Sequence, residues 1–289
     1  MRLLTWDFDG NFRLETFDDA RARPKYAILS HTWGSDNEEV IYQDITTGSG
    51  KHKIGHEKLN FSRTRAIKGG LNFVWIDTCC IDKTSSSELA EAINSMFRWY
   101  KESEVCYVYL TDVKVSNSTK DLEVSRWFTR GWTLQELIAP SRVEFFDRDG
   151  TSLGNRKVLK GLISMRTRIA ESLLEGRAPL DSFNFSERMA WAAGRQTKRG
   201  EDLAYCLVGI FGISMSMQYG EGQETAVRRL RKKIKKREDE LQQLAQSAPR
   251  WSTVGGITQG RPNHLRCIVS CSFNTSSSFG SSLSWRLAI

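Results

Sequence analysis

Residues 73–110 read FVWIDTCCIDKTSSSELAEAINSMFRWYKESEVCYVYL, and this stretch decides the fold class. It opens with an apolar run ending in Asp77 and closes with a second apolar run at 105–110, as buried strands do. Between the runs, Ser85 and Glu88 have capping-box spacing. The apolar residues that follow recur at helical spacing: Leu89, Ala92, Ile93, Met96 and Tyr100. The stretch therefore predicts a strand, a capped helix and a second strand.

The alternation of strands and helices continues on both sides of this unit. Apolar runs predict further strands at 26–30 and 143–146, and residues 56–68 and 126–138 predict helices. Apolar and polar positions alternate around Asp9-Gly10, which predicts a β-hairpin within residues 1–19. This order of elements predicts an α/β fold with a parallel sheet flanked by helices and an N-terminal hairpin.

Beyond Gly150 helical patterns dominate and predict an extension packed on the α/β core. Its helices are expected at roughly 156–175, 186–195, 200–211 and 223–246. From Trp251 onward, 39 residues contain nine Ser and no Asp, Glu or Lys, which is typical of a disordered tail. The predicted organisation is a core at 1–150, a helical extension at 151–246 and a tail at 247–289.

One segment accounts for the whole formal net charge of +8. Residues 228–237 read RRLRKKIKKR, with eight basic residues and no acid, so the other 279 residues carry 34 charges of each sign. A charge-balanced body argues against a protein that coats nucleic acid, and we expect no specific nucleic-acid partner. The segment itself could bind an anionic membrane surface or nucleic acid. In the alternative interpretation it is a solvated helix end whose basic side chains pair with the acids that follow it.

Composition also limits the class of protein and its compartment. At 39% hydrophobic residues with nine Trp, the chain can bury a sizeable core, which excludes disordered and fibrous classes. The first residues are too acidic for a signal peptide, and no run of eighteen apolar residues occurs. The six cysteines lack paired spacing, which favours buried thiols in a reducing compartment. We expect a cytoplasmic protein.

No metal site is expected. His52 and His56 have helical spacing, but Gly55 intervenes and no Glu follows His52. The set His264, Cys267 and Cys271 is one ligand short of a zinc site and lies in the predicted tail.

Polar residues that follow the predicted strands indicate where a ligand would bind. In an open α/β sheet, ligands bind beyond the carboxyl ends of the strands. The polar segments at that rim are 30–34, 77–83 and 111–112. The helix expected to begin at Arg126 lies near the same rim and carries Glu136 between apolar neighbours, so we expect its carboxyl to be partly desolvated.

Three blocks resemble the signature blocks of the fungal heterokaryon incompatibility (HET) domain: YAILSHTWG (26–34), VWIDTCCIDK (74–83) and RGWTLQEL (130–137). Residues 187–222 are similar to a segment that often follows in larger incompatibility proteins. The resemblance implies a module that triggers cell death when genetically different fungal cells fuse. It also implies self-association, and partners among other incompatibility proteins or NOD-like receptor proteins.

The HET domain is similar in turn to TIR domains, which implies a TIR/flavodoxin-like sheet. In TIR enzymes that hydrolyse NAD, a glutamate within a Trp-x-Leu-x-Glu-Leu stretch is catalytic, and residues 132–137 match that stretch. The resemblance therefore implies that Glu136 is catalytic and that NAD is a substrate rather than a cofactor. It suggests that Ser30, His31 and Trp33 contact the base or ribose and that Asp77 and Asp82 shape the rim. Arg126 or Arg130 would meet the phosphates. The remaining substrate-binding candidates are Cys80 and Trp132.

The same residues also fit a protein without catalytic activity. Glu136 would then be a helix surface residue or an ion-pair partner of Arg130. Trp33 and Trp132 would be core residues, and Cys80 would pack behind its strand. In that case the chain would be a self-associating signalling adaptor.

Overall fold

The computed structural model describes residues 1–114 and 120–247, so the predicted tail after Ser247 lies outside the described residues. Residues Met1–Arg237 form one compact unit. The strands are β1 (Arg2–Trp6), β2 (Phe12–Thr16), β3 (Ala27–His31), β4 (Val74–Trp75), β5 (Val105–Leu110), β6 (Val143–Asp147) and β7 (Ser152–Asn155). The α-helices are α1 (Tyr42–Thr47), α2 (His56–Lys68), α3 (Asp77–Cys80), α4 (Ser86–Glu102), α5 (Lys120–Val124), α6 (Thr133–Ile138), α7 (Lys160–Thr167), α8 (Glu171–Leu174), α9 (Phe185–Ala192), α10 (Asp202–Tyr205) and α11 (Gln223–Ser247).

The strands form one sheet in the order β2-β1-β4-β3-β5-β6-β7. The four inner strands, β4, β3, β5 and β6, pair in parallel, which confirms the predicted α/β fold class. Numbered by their occurrence in the chain, these four strands have the order 2-1-3-4, as in flavodoxin-like sheets. The direction of the chain across the sheet therefore reverses between β3 and β5.

The two edges of the sheet are antiparallel. The predicted hairpin is confirmed as β1 and β2, and β1 extends the sheet by pairing with β4. At the other edge, β7 is a strand that the sequence pattern did not predict. It follows β6 through a tight turn, with Gly150 at φ +77°, and so short a connection joins only antiparallel strands.

Packing against the sheet explains why the best-predicted helix forms. Helix α4 begins after Ser85, whose hydroxyl accepts a hydrogen bond from the Glu88 backbone N–H at 3.4 Å. Four of the five side chains predicted from helical spacing are buried, together with Trp99, and the fifth, Leu89, is partly buried. Strands β3 and β5, next to each other in the sheet, are buried along their whole length. The core therefore lies between the inner strands and the helices that cover them.

The predicted helix at 126–138 is wrong as a continuous element. Residues Arg126–Thr129 form a 3₁₀ turn, and only Thr133–Ile138 are α-helical. Between them the backbone is extended at Arg130, and Gly131 N–H donates to the carbonyl of Gln196 at 2.8 Å. Gln196 N–H donates in return to the carbonyl of Thr129 at 2.6 Å. Hydrogen bonds to the helical extension therefore replace those of a continuous helix.

The extension contains shorter helices than the sequence predicted. The segment 156–175 is divided where Arg168 adopts a left-handed conformation, φ +61°, after helix α7. In the segment 200–211, only Asp202–Tyr205 are α-helical. Its backbone at Gly209 comes so close to helix α4 that a Cβ there would lie 2.1 Å from the Cβ of Phe97. Docking against α4 therefore takes precedence over local helix formation.

Replacing Gly131 with alanine should destabilise the chain by about 1–3 kcal/mol, because its Cβ would lie 2.5 Å from Cγ2 of Thr197 in the extension. Urea denaturation would measure the change. Gly161→Ala is the matched control, because this glycine is exposed within α7 and an added Cβ would come no closer than 3.9 Å to its nearest neighbour. The control should be neutral or slightly stabilising. Equal stability of both variants would contradict the tight contact at Gly131.

Candidate functional site

A cavity of about 230 Å³ lies beyond the carboxyl ends of β3 and β4, beside the point where the sheet order reverses. Helices α4 and α6 form two of its walls, and the helical extension forms another. Its lining residues are His31, Trp33, Asp77, Ile81, Lys83, Leu89, Ile93, Met96, Tyr100, Arg130, Trp132, Thr133, Glu136, Lys198, Arg199, Asp202 and Tyr219. This lining combines apolar, aromatic and charged side chains in one place, as ligand sites do.

Glu136 lies at the inner wall of the cavity on helix α6 and is 7% exposed. Its Oε2 accepts a hydrogen bond from the Ser30 hydroxyl at 2.5 Å. The Ser30 hydroxyl oxygen accepts one in turn from Trp127 Nε1 at 2.8 Å. Ser30 is completely buried and lies behind Glu136, outside the cavity lining. The Trp127–Ser30 chain therefore holds one carboxyl oxygen of Glu136 in position.

Burial raises the pKa of Glu136 to about 8. Hydrogen bonds from Ser30 and Tyr100 and the charge of Arg130 act in the opposite direction, whereas the negative charge of Asp77 adds to the increase. Glu136 has no salt-bridge partner within residues 1–114 and 120–247. It is therefore neither a helix surface residue nor one half of an ion pair with Arg130. A carboxyl group of this kind, buried and next to a cavity, is typical of functional sites.

Asp77 anchors a second cluster of lining residues. Its two oxygens meet His31 Nε2 at 3.1 Å and Trp33 Nε1 at 3.0 Å, and Lys83 Nζ lies 3.5 Å away. Burial alone would raise the pKa of Asp77, but the charge of Lys83 and the hydrogen bonds from His31 and Trp33 outweigh it and hold this pKa well below its usual range. Lys83 also lies over the Trp33 ring, 3.6 Å from its centre. Asp77 is thus a stable anion that orients two other lining residues.

The helical extension supplies four lining residues that the sequence reasoning missed. Tyr219 donates a hydrogen bond to Asp202 Oδ1 at 2.9 Å, and burial raises the pKa of Asp202. Arg199 lies over the Tyr219 ring, 4.2 Å from its centre, and Lys198 Nζ lies 2.5 Å from Asp36 Oδ1. These residues fall within 187–222, the segment that resembles incompatibility proteins. That resemblance was the one feature of the sequence that could have pointed to them.

The structure brings six of the ten predicted site residues to the cavity: His31, Trp33, Asp77, Arg130, Trp132 and Glu136. Cys80 is buried behind β4, where its sulfur faces the Val74 carbonyl, and burial raises its pKa to about 12. Asp82 accepts hydrogen bonds from Thr84 and Gln43 and shapes the loop. Arg126 bonds Thr32 Oγ1 at 3.0 Å and Thr111 Oγ1 at 3.3 Å, at the carboxyl ends of β3 and β5. Cys80, Asp82 and Arg126 therefore lie outside the cavity lining, as Ser30 does.

The basic segment 228–237 lies on helix α11, away from the cavity. Its apolar residues Leu230 and Ile234 are buried within the compact unit, while most of its basic side chains are exposed. Arg229 pairs with Glu221. Because the apolar side of this segment is already covered, it offers no amphipathic face for insertion into a membrane surface.

The described part of the chain offers neither a membrane-spanning helix nor a metal-binding cluster. No helix there is both long enough and apolar enough to cross a membrane. The same residues contain no group of three His, Cys, Asp or Glu side chains placed to hold a metal ion, and His264, Cys267 and Cys271 lie outside them.

Comparison with known proteins identifies the family. Residues 26–119 match the family described as Heterokaryon incompatibility protein (HET). The chain is similar to the vegetative incompatibility protein HET-E-1 of Podospora anserina, with 48% identity over 258 residues. That alignment covers 86% of this chain, and the chain spans only 19% of its relative's length. No solved structure matches the chain. The matched residues include both blocks that supply His31, Trp33 and Asp77, so this chain contains a fungal heterokaryon incompatibility (HET) domain.

Proposed function

We propose that this chain is an effector module of vegetative incompatibility that hydrolyses NAD in the cavity beside Glu136. The role in incompatibility rests on the family and on the relative named for it. The hydrolytic activity rests on one observation: a buried carboxyl with a pKa raised to about 8 lines a cavity at the carboxyl end of a flavodoxin-like sheet.

In the proposed reaction, the bond between the nicotinamide nitrogen and ribose C1′ breaks. Water adds its hydroxyl to C1′ and releases its proton, so the products are nicotinamide, ADP-ribose and H⁺. Positive charge develops on the ribose as the bond breaks, and nicotinamide leaves as a neutral molecule without needing a proton. An ionised Glu136 would stabilise the developing charge, as carboxylates do in glycoside hydrolysis.

The surroundings of Glu136 suit this role. Its pKa of about 8 leaves the carboxyl mostly protonated at neutral pH before a substrate binds. The nicotinamide ring of NAD carries a positive charge, which would favour the ionised form when it binds nearby. The partly exposed Trp132 lines the same cavity and offers a ring face for stacking against the cationic ring. Glu136 would thus gain its charge together with the substrate.

Self-association and contact with other incompatibility proteins are part of the proposal. The matched family and relative are both named for incompatibility. Clustering of such modules would bring their cavities together at the moment of signalling. The test therefore uses chain clustered by a fused oligomerisation tag as well as the monomeric chain.

Clustered chain incubated with NAD should release nicotinamide, and kcat/KM should rise about tenfold per pH unit from pH 6 until it levels off near pH 8. The ionised carboxyl is the active form, and kcat/KM reports the free enzyme, in which the pKa of Glu136 is about 8. Chromatography of the products at each pH measures this. A profile that is flat between pH 6 and 8 would contradict the role given to Glu136. Absence of nicotinamide release by a chain that still kills cells would favour the signalling adaptor instead.

A further inference from the structure

Two guanidinium groups line the cavity without a carboxylate partner. The side chains of Arg130 and Arg199 make no salt bridge and no hydrogen bond within the described residues. Arg199 is held by its contact with the Tyr219 ring instead. A planar guanidinium with unused N–H donors matches phosphate oxygens in a bidentate geometry.

The nearby acids form no direct ion pair with these two arginines. Asp77 is committed to Lys83, His31 and Trp33, and Asp36 is committed to Lys198. Asp202 and Glu201 interact electrostatically with Arg199, but neither lies within salt-bridge distance of it. Asp202 Oδ1 accepts the Tyr219 hydroxyl, and Glu201 Oε1 accepts the backbone N–H groups of Gly220 and Gly222. Within the described residues, neither Arg130 nor Arg199 therefore has a carboxylate at salt-bridge distance.

Backbone pairing places the segments that carry the two arginines side by side. Arg130 pairs with Gln196 in an isolated parallel bridge, and Arg195 Nη1 donates to the carbonyl of Arg130 at 2.8 Å. Arg199 follows this bridge by three residues. The docking that interrupts the predicted helix at Gly131 thus carries Arg199 to the side of the cavity where Arg130 lies.

The size of the cavity is consistent with an anionic group at its mouth. At about 230 Å³ it is smaller than the ~300–1,000 Å³ of pockets that enclose a whole drug-sized ligand. A dinucleotide would therefore place only one end beside Glu136. Arg199 and Lys198 line the cavity and are exposed, so they lie where the remainder of the ligand would emerge.

We propose that Arg130 and Arg199 bind the diphosphate of a dinucleotide, so that the helical extension, rather than the HET core alone, selects a phosphate-bearing substrate. This inference rests on the proposed function for the identity of the base and ribose. The binding of phosphate by the two arginines does not require any catalytic step.

The test is calorimetric titration of the whole chain with ADP-ribose, which carries the diphosphate but is not consumed. Arg199→Gln should weaken ADP-ribose binding by about 10- to 100-fold, the loss typical of a hydrogen bond to a charged group. Arg130→Gln should weaken binding by a similar factor. The affinity of Arg199→Lys should lie between those of Arg199→Gln and the wild type, because lysine keeps the positive charge but lacks the bidentate N–H donors of arginine. Nicotinamide, which has no phosphate and no bond to ribose, should bind the Arg199→Gln chain within about twofold of the wild type.

Arg166→Gln is the matched control, since Arg166 is an exposed arginine of the same extension outside the cavity lining. Arg166→Gln should leave ADP-ribose affinity unchanged. The unfolding midpoints of Arg130→Gln and Arg199→Gln should match that of the wild type. The proposal is overturned if Arg199→Gln binds ADP-ribose as the control does, if both ligands lose affinity equally, or if the wild type does not bind ADP-ribose. Arginine-dependent binding by a chain that leaves NAD intact would support this inference while contradicting the proposed hydrolysis.

Discussion

Replacing Glu136 with glutamine should lower nicotinamide release from NAD by about 10²- to 10³-fold, the loss typical of removing one preorganised electrostatic group. Glutamine has nearly the same shape and can still accept the hydrogen bond from Ser30, but it cannot carry the negative charge that opposes the developing charge on the ribose. Single-turnover measurement with clustered chain separates this effect on chemistry from an effect on substrate binding.

Glu91→Gln provides the matched control, because Glu91 is exposed on helix α4 and does not line the cavity. Its activity should equal that of the wild type. A Glu136→Gln chain that hydrolyses NAD at the wild-type rate would falsify the catalytic proposal. If cell killing survives Glu136→Gln and is lost only when an exposed helix surface is altered, the signalling adaptor is the better account.

The same substitution should change how stability depends on pH, whether or not the chain is an enzyme. The folded chain keeps the proton of Glu136 up to about pH 8, whereas the unfolded chain releases it near the ordinary value of 4.5. Between these values the folded state binds more protons, so the stability of the wild type relative to Glu136→Gln should fall as pH rises and level off above about 8. The difference between the two pKa values corresponds to roughly 5 kcal/mol across the whole range.

Urea denaturation of both chains at intervals from pH 5 to pH 8.5 would measure this difference. Asp77 does not contribute within that window, because its folded pKa is lowered and its transition lies at acidic pH. Other titrating groups are present in both chains and cancel in the comparison. Glu91→Gln should follow the wild type at every pH. A constant difference between the wild type and Glu136→Gln would mean that Glu136 titrates as an ordinary exposed acid.

Much of the core could be predicted from local pattern. The run from Phe73 to Leu110 specifies two buried strands and the helix between them through apolar spacing alone, and all three are present. The apolar neighbours of Glu136 indicated desolvation, and the carboxyl is indeed buried. Polar residues after the strands indicated the rim, where His31, Trp33 and Asp77 now line one cavity. These features depend on residues close together in the chain, for which spacing is an adequate guide.

The remaining features depend on contacts between distant segments. The interruption at Arg130 and Gly131 arises from backbone hydrogen bonds to Gln196, about which the helical pattern of 126–138 carries no information. The predicted helix at 200–211 is likewise cut short where Gly209 packs against Phe97 of helix α4. In each case a tertiary contact outweighed the local preference.

The sequence by itself determined the family, the α/β class and the single acid on which the proposed chemistry depends, because each is encoded in a continuous stretch of residues. Only the tertiary structure decided that Glu136 is held by Ser30, that its pKa is raised, and that Arg199, Asp202 and Tyr219 complete the cavity. The physical reason is that burial, electrostatic environment and the shape of a cavity depend on which distant segments pack together.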